Sequence, residues 1–523
     1  MIRKNILKLI LFGFIIALPL ASCKDDFDRI SSSQADQPSF SQDTVKLDTL
    51  FSDVTSSTRQ LMIYNRNKKS IRLDRVYLSD PKSGFRVNVD GHAGHEFRDL
   101  TILPGDSMYV FVEANFRRDD KALLIEEVKD KLMFECRGQS SSVLLQGYRC
   151  NADVVSEIHI SKDSVLNSPL PLLVKDSIVI DKGATLTIGA GSRICFFAKS
   201  YVKVNGSLKT QGTVEKPVVL EGLRQDMMLS DLPYPLVSGQ WGGIRFGETS
   251  LDNRLEYTII KNAVNGLYFM GERSPQDPLL YMLGCQITNM KGYGIYAVGG
   301  HIALDNSEVS NTYNSTLQLQ GSSFVSRACT FVNFYLFDSR FSPTLNYYDS
   351  YKVGNGERSH VQGSAFRMTN CIVDGTKSIN VPKESKDSKG VLAGEMYLIM
   401  ADSSLFDEIV HVDHSYLRMP QNNLIPSAMK DCLLSQDTIN MKKYRYYYSL
   451  GYKEDKGKDV LSFVFDFRPL QSVAPFMNMG VAIPELSNDR YGVARNNPPT
   501  PGCYTPVASP TPTKALYYYK RRR

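Results

Sequence analysis

The chain has 523 residues, of which 42% are hydrophobic and 36 are glycine, enough for more than one folded domain with a large core. Its formal net charge is only +6, and part of that charge lies in residues 520–523. A body this close to neutral lacks the basic footprint of a nucleic-acid-binding protein. The nine cysteines are scattered without a CxxC pair, so neither a metal site nor a cofactor is indicated.

Residues 1–22 have the pattern of a secretory signal peptide, with a basic start followed by an apolar run over residues 6–20. The run is short for a membrane span. Leu20-Ala21-Ser22-Cys23 follows it and resembles a bacterial lipobox, in which the cysteine receives the lipid. The resemblance implies that acyl chains on Cys23 attach the protein to a membrane. An uncleaved anchor or an ordinary secretory signal remains open.

Residues 23–40 are rich in Ser, Gln and Asp and are predicted to form a tether. Lys24-Asp25-Asp26 at its start resembles the surface-export signal of some Gram-negative outer-membrane lipoproteins. That resemblance implies an outer-membrane lipoprotein exposed at the cell surface. A charged, solvated linker would have the same composition.

Residues 41–155 contain short runs of alternating hydrophobicity separated by turns, which favours a β-sandwich. The runs and turns resemble the immunoglobulin-like modules of the abnormal-spindle/Hydin type. The resemblance lies in four segments: Tyr64-Asn65-Arg66-Asn67, Phe85-Arg86-Val87, Leu103-Pro104-Gly105-Asp106-Ser107 and Leu145-Gln146-Gly147. It implies a spacer or a binding module rather than a catalytic domain.

Between residues 156 and 506, strands of four or five residues alternate with turns that contain glycine. Polar residues follow successive strand-like runs at intervals of 27, 22, 22 and 41 residues: Asn262, Asn289, Asn311, Asn333 and Asp374. A period near 22 residues in a β-rich chain predicts a solenoid. We predict that these side chains stack at one corner of the coils and form a structural ladder of hydrogen bonds.

Asp489-Arg490-Tyr491-Gly492-Val493-Ala494-Arg495 resembles the closing motif of right-handed parallel β-helix proteins of the pectin-lyase-like superfamily. Asp489, Gly492 and Arg495 match that motif, whereas Cys503 and Thr505 depart from its last element. The predicted fold class is therefore all-β, with an N-terminal β-sandwich followed by a right-handed parallel β-helix and a basic tail over residues 507–523. The superfamily includes lyases, hydrolases, epimerases and adhesins, so it does not decide the activity.

Two polar regions are candidates for glycan contact. The insertion between Asn333 and Asp374 combines aromatic and polar side chains, and a second constellation follows on a strand; the candidates are Tyr347, Tyr348, Asp349, Tyr351, His411 and Asp413. Tyrosines that cover the flank of the helix, and a strand exposed to solvent, would explain the same residues.

Two functions remain open. One is a non-catalytic cell-surface protein that binds glycans or a host or matrix surface. The other is a polysaccharide lyase or glycoside hydrolase of the pectin-lyase-like type. A glycoside hydrolase needs two carboxylates facing one groove, whereas Glu256, Asp305 and Glu308 share no register in the repeats. The sequence therefore favours binding, without indicating the ligand, the oligomeric state or any disulfide pairing.

Overall fold

A computed structural model describes residues 30–119, 125–228, 232–352, 358–376, 390–419, 428–435, 446–455 and 458–508. The chain divides into two compact units between Asn151 and Ala152, close to the expected boundary at residue 155. Each unit has its own hydrophobic core. The predicted signal peptide with Cys23, and the tail after residue 508, lie outside the described residues. Within the described ranges, no helix is long and apolar enough to cross a membrane.

The first unit is a β-sandwich, as predicted. Its two five-stranded sheets have the orders β1-β3-β8-β5-β6 and β2-β10-β9-β4-β7, and they are antiparallel apart from the parallel pair β2–β10. The strands are β1 (Ser39–Phe40), β2 (Thr44–Phe51), β3 (Arg59–Tyr64), β4 (Ile71–Leu78), β5 (Phe85–Val89), β6 (His92–Gly94), β7 (Glu96–Ile102), β8 (Ser107–Ala114), β9 (Ile125–Cys136) and β10 (Gln139–Cys150). Alternate residues of both sheets, such as Val110 and Val143, are buried between them.

The second unit is a parallel β-helix, which confirms the predicted fold class. Its strands are β11 (Asp153–Ile160), β12 (Ser164–Leu166), β13 (Leu172–Ile180), β14 (Thr185–Gly189), β15 (Arg193–Phe196), β16 (Tyr201–Val204), β17 (Ser207–Gln211), β18 (Val218–Gly222), β19 (Trp241–Phe246), β20 (Asn253–Glu256), β21 (Thr258–Lys261), β22 (Ala263–Glu272), β23 (Pro278–Leu283), β24 (Gln286–Met290), β25 (Ile295–Val298), β26 (His301–Asp305), β27 (Glu308–Thr312), β28 (Leu317–Gln320), β29 (Ser323–Arg327), β30 (Thr330–Asn333), β31 (Leu345–Tyr348), β32 (Ser350–Lys352), β33 (Arg358–His360), β34 (Ala365–Thr369), β35 (Ile372–Gly375), β36 (Gly390–Ala393), β37 (Met396–Ile399), β38 (Val410–Asp413), β39 (Tyr416–Leu417), β40 (Met429–Lys430), β41 (Leu433–Leu434), β42 (Tyr447–Asp455) and β43 (Lys458–Pro469). One α-helical turn, α1 (Phe406–Ile409), and short 3-10 turns lie in the connections.

The coils contribute their strands to three rows of parallel strands. Row A consists of β15, β18, β21, β24, β27, β30, β35, β39 and β41. Row B consists of β16, β19, β22, β25, β28, β31 and β37. Row C consists of β12, β14, β17, β20, β23, β26, β29, β34, β38 and β40. The long strand β13 pairs with the first strands of rows A and B.

The period of 22 residues is directly visible in the pairing of two successive coils. All three rows show it, at Gln286 with Glu308, Ile295 with Leu317 and His301 with Ser323. Because side chains alternate along a strand, this register stacks equivalent inward residues from coil to coil. One such column is Leu220, Ile260, Ile287, Val309, Phe331 and Val373, all buried. Burial of each aliphatic side chain contributes about 1.5–3 kcal/mol.

The four asparagines occupy one register position at the corner between rows A and B, since the strands before them pair in register. The amide of Asn289 donates to Asn262 Oδ1 at 3.2 Å. The next two side chains bind backbone instead: Asn311 Oδ1 accepts from the Phe334 amide at 3.0 Å, and Asn333 donates to the Thr312 carbonyl at 2.8 Å. The corner is thus held by asparagines that satisfy backbone groups of the neighbouring coils.

Asp374 does not continue this column. It pairs with Val332, and Asn333 pairs with Gly375, because the insertion makes the coil 42 residues long at Thr330 and Ile372. Because of this shift of one residue in the register, the Asp374 side chain lies outside the asparagine column. Its carboxylate accepts a hydrogen bond from the Tyr447 hydroxyl at 2.8 Å.

The C-terminal segment covers the outer face of row A. Tyr447 and Phe476 pack with Val332 and Ile372 of that row in one buried cluster. Backbone and side-chain hydrogen bonds fasten the segment to the coils: Arg490 Nε donates to the Cys285 carbonyl at 3.2 Å, the Cys503 amide donates to Thr330 Oγ1 at 3.0 Å, and the Tyr504 hydroxyl contacts Glu308.

The closing motif builds the turn that this segment needs. Asp489 accepts hydrogen bonds from the backbone amides of Tyr491, Val493 and Thr505. Arg495 donates to the Gly502 carbonyl at 2.9 Å and contacts the Asn306 side chain. Both motif residues therefore have structural contacts, and the outer face of row A is occupied by the chain itself.

Two glycines with positive φ, one in contact with the neighbouring coil and one in open space, allow a test of how closely the coils pack. Gly299 has a φ of +71°, and a Cβ there would meet the Arg273 carbonyl oxygen at 1.7 Å; Gly183 has a φ of +81° and open space around it. Alanine at positive φ costs about 1–2 kcal/mol by itself. We expect Gly299→Ala to lower the thermal midpoint of the full chain clearly more than Gly183→Ala. Equal shifts would show that coil contact at this corner does not constrain the fold.

A buried ion pair on row A gives a second, pH-dependent prediction. Glu221 is 1% exposed and lies 2.6 Å from Arg193 and 2.7 Å from Lys261. Burial by itself raises the pKa of Glu221, but the two cations outweigh it and hold the pKa at about 2, below its ordinary 4.5. The carboxylate therefore stabilises the fold above pH 4.5, and this contribution of about 3 kcal/mol is lost as the pH falls toward 2.

Glu221→Gln should destabilise the protein at pH 7 and should narrow its difference from the wild type as the pH falls from 4.5 toward 2. Thermal unfolding of both proteins across this range measures that difference. A difference that stays constant with pH would contradict the assignment of the ion pair.

Candidate functional site

The residues predicted to contact a glycan do not converge on one place. Tyr347 and Tyr348 lie on β31 of row B, whereas His411 and Asp413 lie on β38 of row C. Tyr351 is half-buried and lies on β32, the first strand of the hairpin β32–β33 that follows β31. The six candidates are therefore divided between two faces of the helix and one corner.

Burial removes two of these candidates. Tyr347 points inward, and its hydroxyl donates to the Ser322 carbonyl at 3.0 Å. Asp349 is also fully buried, accepts from the Ala401 amide at 2.8 Å and lies 3.0 Å from His360 Nδ1. Neither side chain can touch a ligand on the surface. Tyr348 follows Tyr347 on the strand and consequently points outward.

Asp413 lies in a small polar cluster with Thr369, His414 and Asp431, whose carboxylate is 3.7 Å from His414 Nε2. The exposed His411 ring contacts the Glu408 carbonyl at 3.2 Å, and Asp413 accepts from Thr369 Oγ1 at 3.1 Å and lies 3.2 Å from His414 Nδ1. Within the described part of the chain, no group of three or more His, Cys, Asp or Glu side chains has the geometry to hold a metal ion.

Glu256, Asp305 and Asp413 occupy one column on the outer face of row C, so the expectation that Glu256 and Asp305 share no register is wrong. The first two carboxylates of this column are bound by arginines. Arg327 makes a bidentate pair with Asp305 at 2.8 and 2.7 Å, and the Tyr281 hydroxyl contacts the same carboxylate at 3.2 Å. Burial, followed by the nearby charge of Asp305, raises the pKa of Tyr281 to about 12. Arg254 binds Glu256 at 2.6 Å and covers the Tyr281 ring at 4.5 Å. This face is therefore a network of neutralised charges.

The outer face of row B has a different chemistry. Its register aligns one outward residue from each of seven coils, namely Lys203 and Arg245 followed by five uncharged residues. Neighbouring outward positions add three more uncharged side chains. These eight uncharged residues form what we call the tyrosine–amide surface: Tyr268, Tyr293, Tyr296, Gln318, Gln320, Asn346, Tyr348 and Tyr397. Gln318 is nearly buried and the other seven are half-buried, which reflects their packing against one another.

Ring stacking orders one end of the tyrosine–amide surface. Tyr268 and Tyr296 lie 4.6 Å apart and within 7° of parallel, because in-register strands set the rings at the strand spacing. Tyr293 leans on Tyr296 at 5.4 Å and 50°. Burial, and then the proximity of Tyr268 and Tyr348, raises the pKa of Tyr293. The rings stand side by side, so a ligand meets their edges and hydroxyls.

The amides continue the surface with hydrogen bonds. Gln320 Nε2 donates to the Tyr296 hydroxyl at 3.3 Å, and Asn346 Nδ2 donates to Gln318 Oε1 at 2.9 Å. Asn346 Oδ1 is buried and has no hydrogen-bond partner within the described residues. Such an acceptor costs about 1–3 kcal/mol until a donor satisfies it.

Of these eight residues, the sequence pattern predicted only Tyr348 as a site residue. The others are separated by intervals of up to 49 residues, as between Tyr348 and Tyr397, and only the stacking of coils brings them together. A usable signal was present: Tyr268 and Tyr296, like Gln318 and Asn346, are 28 residues apart and occupy the outward phase of their strands.

No family model and no curated protein matches this chain. Ten chains of solved structures match it, among them a family 123 glycoside hydrolase from Clostridium perfringens, described in connection with glycolipid glycan hydrolysis. The identity to that enzyme is 9% and the TM-score is 0.16. The similarity covers 22% of this chain and 26% of that chain. At this TM-score it carries no weight for fold or activity.

Proposed function

We propose that this protein binds a neutral glycan along the tyrosine–amide surface and does so without catalysis. The observation that carries the proposal is the in-register alignment of tyrosines and amides on the outer face of row B. Hydroxyl and amide groups both donate and accept hydrogen bonds, as sugar hydroxyls do. None of the eight side chains carries a formal charge at neutral pH, so a neutral ligand fits them. The two cations that continue the column, Arg245 and Lys203, lie beyond Tyr268 at its end.

The rigidity of the coils supports this function. Equivalent groups repeat about every 4.8 Å along the helix axis, since this is the spacing of adjacent strands. Their positions are set by the backbone pairing before any ligand arrives. Binding therefore costs little ordering of the protein, and weak contacts can add along an extended polymer.

The positions of the carboxylates support binding over catalysis. Glycoside hydrolysis needs a protonated carboxylic acid and a second carboxylate on opposite sides of the scissile bond. The tyrosine–amide surface contains neither, and Asp305 of row C is held by Arg327 in a bidentate pair. A polysaccharide lyase or glycoside hydrolase would need its acid or base from other residues.

We also propose that the protein acts at the outer surface of a Gram-negative outer membrane. The lipobox-like Leu20-Ala21-Ser22-Cys23 and the acidic segment after it support this location. A lipid on Cys23 and the tether over residues 23–40 would hold the β-helix near the membrane while leaving its outer faces accessible to a glycan or to a host or matrix surface.

Lipidation predicts a simple biochemical outcome. In cells grown with a labelled fatty acid, the wild-type chain should carry the label and remain with the membrane fraction, whereas Cys23→Ala should lose both. Protease added to intact cells should degrade the wild-type protein if it is surface-exposed. An unlabelled wild-type chain would contradict the lipid anchor, and a protected one would contradict surface exposure.

A matched pair of tyrosine variants tests the binding surface. Tyr296→Phe removes a hydroxyl that accepts from Gln320 on row B, and Tyr281→Phe removes one that contacts Asp305 on row C. We expect Tyr296→Phe to weaken binding to a neutral polysaccharide by about three- to tenfold, the value of one hydrogen bond. Tyr281→Phe should leave affinity unchanged. A glycan array identifies the polysaccharide, and calorimetry with the full chain measures the affinity.

Three results would count against the proposed function. The full chain could retain no glycan on the array, or the Tyr281→Phe variant could lose affinity instead of Tyr296→Phe. A reducing-sugar assay could also detect turnover that a single Asp or Glu substitution abolishes, which would establish the enzymatic alternative.

A further inference from the structure

The first unit carries an exposed aromatic pair that the proposed function does not use. Tyr109 and Phe111 lie on β8, two residues apart, and both point away from the core of the sandwich. Their exposures are 50% and 39%, the largest of the aromatic residues on this sheet. Their ring centroids lie 6.0 Å apart and the ring planes are within 9° of parallel. Exposed, ordered aromatic rings on a rigid sheet are typical of binding surfaces.

Amides flank the Phe111 ring on both sides. Phe111 pairs with Gln60 on β3 and with Asn88 on β5, so the amides occupy the two cross-strand positions nearest to the ring. Asn88 Oδ1 has no hydrogen-bond partner within the described residues, but it is buried and a ligand at the surface does not reach it. Gln60 is exposed, and its Nε2 donates to the sulfur of Met62 at 3.2 Å. Sulfur is a weak acceptor, so the Gln60 amide has hydrogen-bonding capacity left for a ligand.

We infer that Phe111 and Tyr109, with Gln60, form a second carbohydrate-binding site on the N-terminal sandwich, for a sugar ring that packs on Phe111 and bonds the exposed Gln60 amide through a hydroxyl. A sugar ring offers C–H groups on its face and hydroxyls around its edge, which matches an aromatic ring beside an exposed amide. Arg86 and Glu113 lie 4.0 Å apart, and Asp90 lies beside Tyr109, whose carbonyl accepts from the Asp90 amide at 3.1 Å. Because Asp90 brings a carboxylate next to the rings, we expect a neutral ligand rather than an acidic one.

The surroundings of the ring distinguish this ligand from a protein partner. A protein interface of this kind would be expected to bury a continuous apolar core. Here the apolar surface is narrow, because Phe111 has an amide on each side and Tyr109 pairs with Met62 on one side only.

Affinity electrophoresis of the full chain in gels that contain starch, mannan or soluble β-glucan tests the site. Phe111→Leu keeps an apolar side chain but removes the ring, and Phe111→Trp keeps a ring. We expect at least one polysaccharide to retard the wild type, Phe111→Leu to bind about tenfold more weakly, and Phe111→Trp to bind as well as the wild type. Tyr148→Leu is the matched control, since Tyr148 is 37% exposed on the other sheet of the sandwich.

Three outcomes would overturn the inference: no retardation of the wild type by any of the polysaccharides, equal retardation of Phe111→Leu and the wild type, or equal losses in Phe111→Leu and Tyr148→Leu. Unchanged thermal midpoints would confirm that the variants are folded, as expected for exposed positions. Combination with Tyr296→Phe separates the two sites. If only the row B variant weakens binding, the proposed function stands and this second site does not.

Discussion

Hydrogen bonds between parallel strands hold each coil of the β-helix to the next, and this pairing sets equivalent side chains about 4.8 Å apart. Inward residues such as Ile287, Val309 and Phe331 then form a continuous core. Outward residues form columns in the same way, whatever their chemistry. A tyrosine in one coil stacks on a tyrosine in the next, as Tyr268 does on Tyr296. The surface chemistry of each face is therefore a direct consequence of the register.

The three faces use this constraint differently. Row A is covered by the C-terminal segment, which Asp489 and Arg495 help to shape. Row C carries opposite charges in adjacent coils, so that Asp305 and Arg327 neutralise one another. Within the described residues, row B alone combines aligned tyrosines with amides. Taken together, these differences favour row B as the place where an extended neutral ligand would lie.

The repeat of Asn289, Asn311 and Asn333 at 22 residues was enough to predict the β-helix, because constant coil length keeps strands in register. Asp374 was misplaced, since that coil has 42 residues instead of 41 and a shift of one residue reverses the direction of a side chain. An error of one residue in the direction of side chains also explains why Tyr347 was predicted to be exposed, although it is buried. Apart from Tyr348, the tyrosines of the tyrosine–amide surface were not predicted, because insertions of different length separate them in the chain.

The proposed function requires a glycan to bind the outer face of row B. Hydroxyl-radical footprinting of the full chain, with and without a saturating polysaccharide that it retains, tests this most directly because tyrosine oxidation reports solvent access. We predict that the ligand reduces oxidation of Tyr268, Tyr293 and Tyr296 and leaves Tyr281 of row C unchanged. Reduced oxidation of Tyr281, with the row B tyrosines unaffected, would contradict the account.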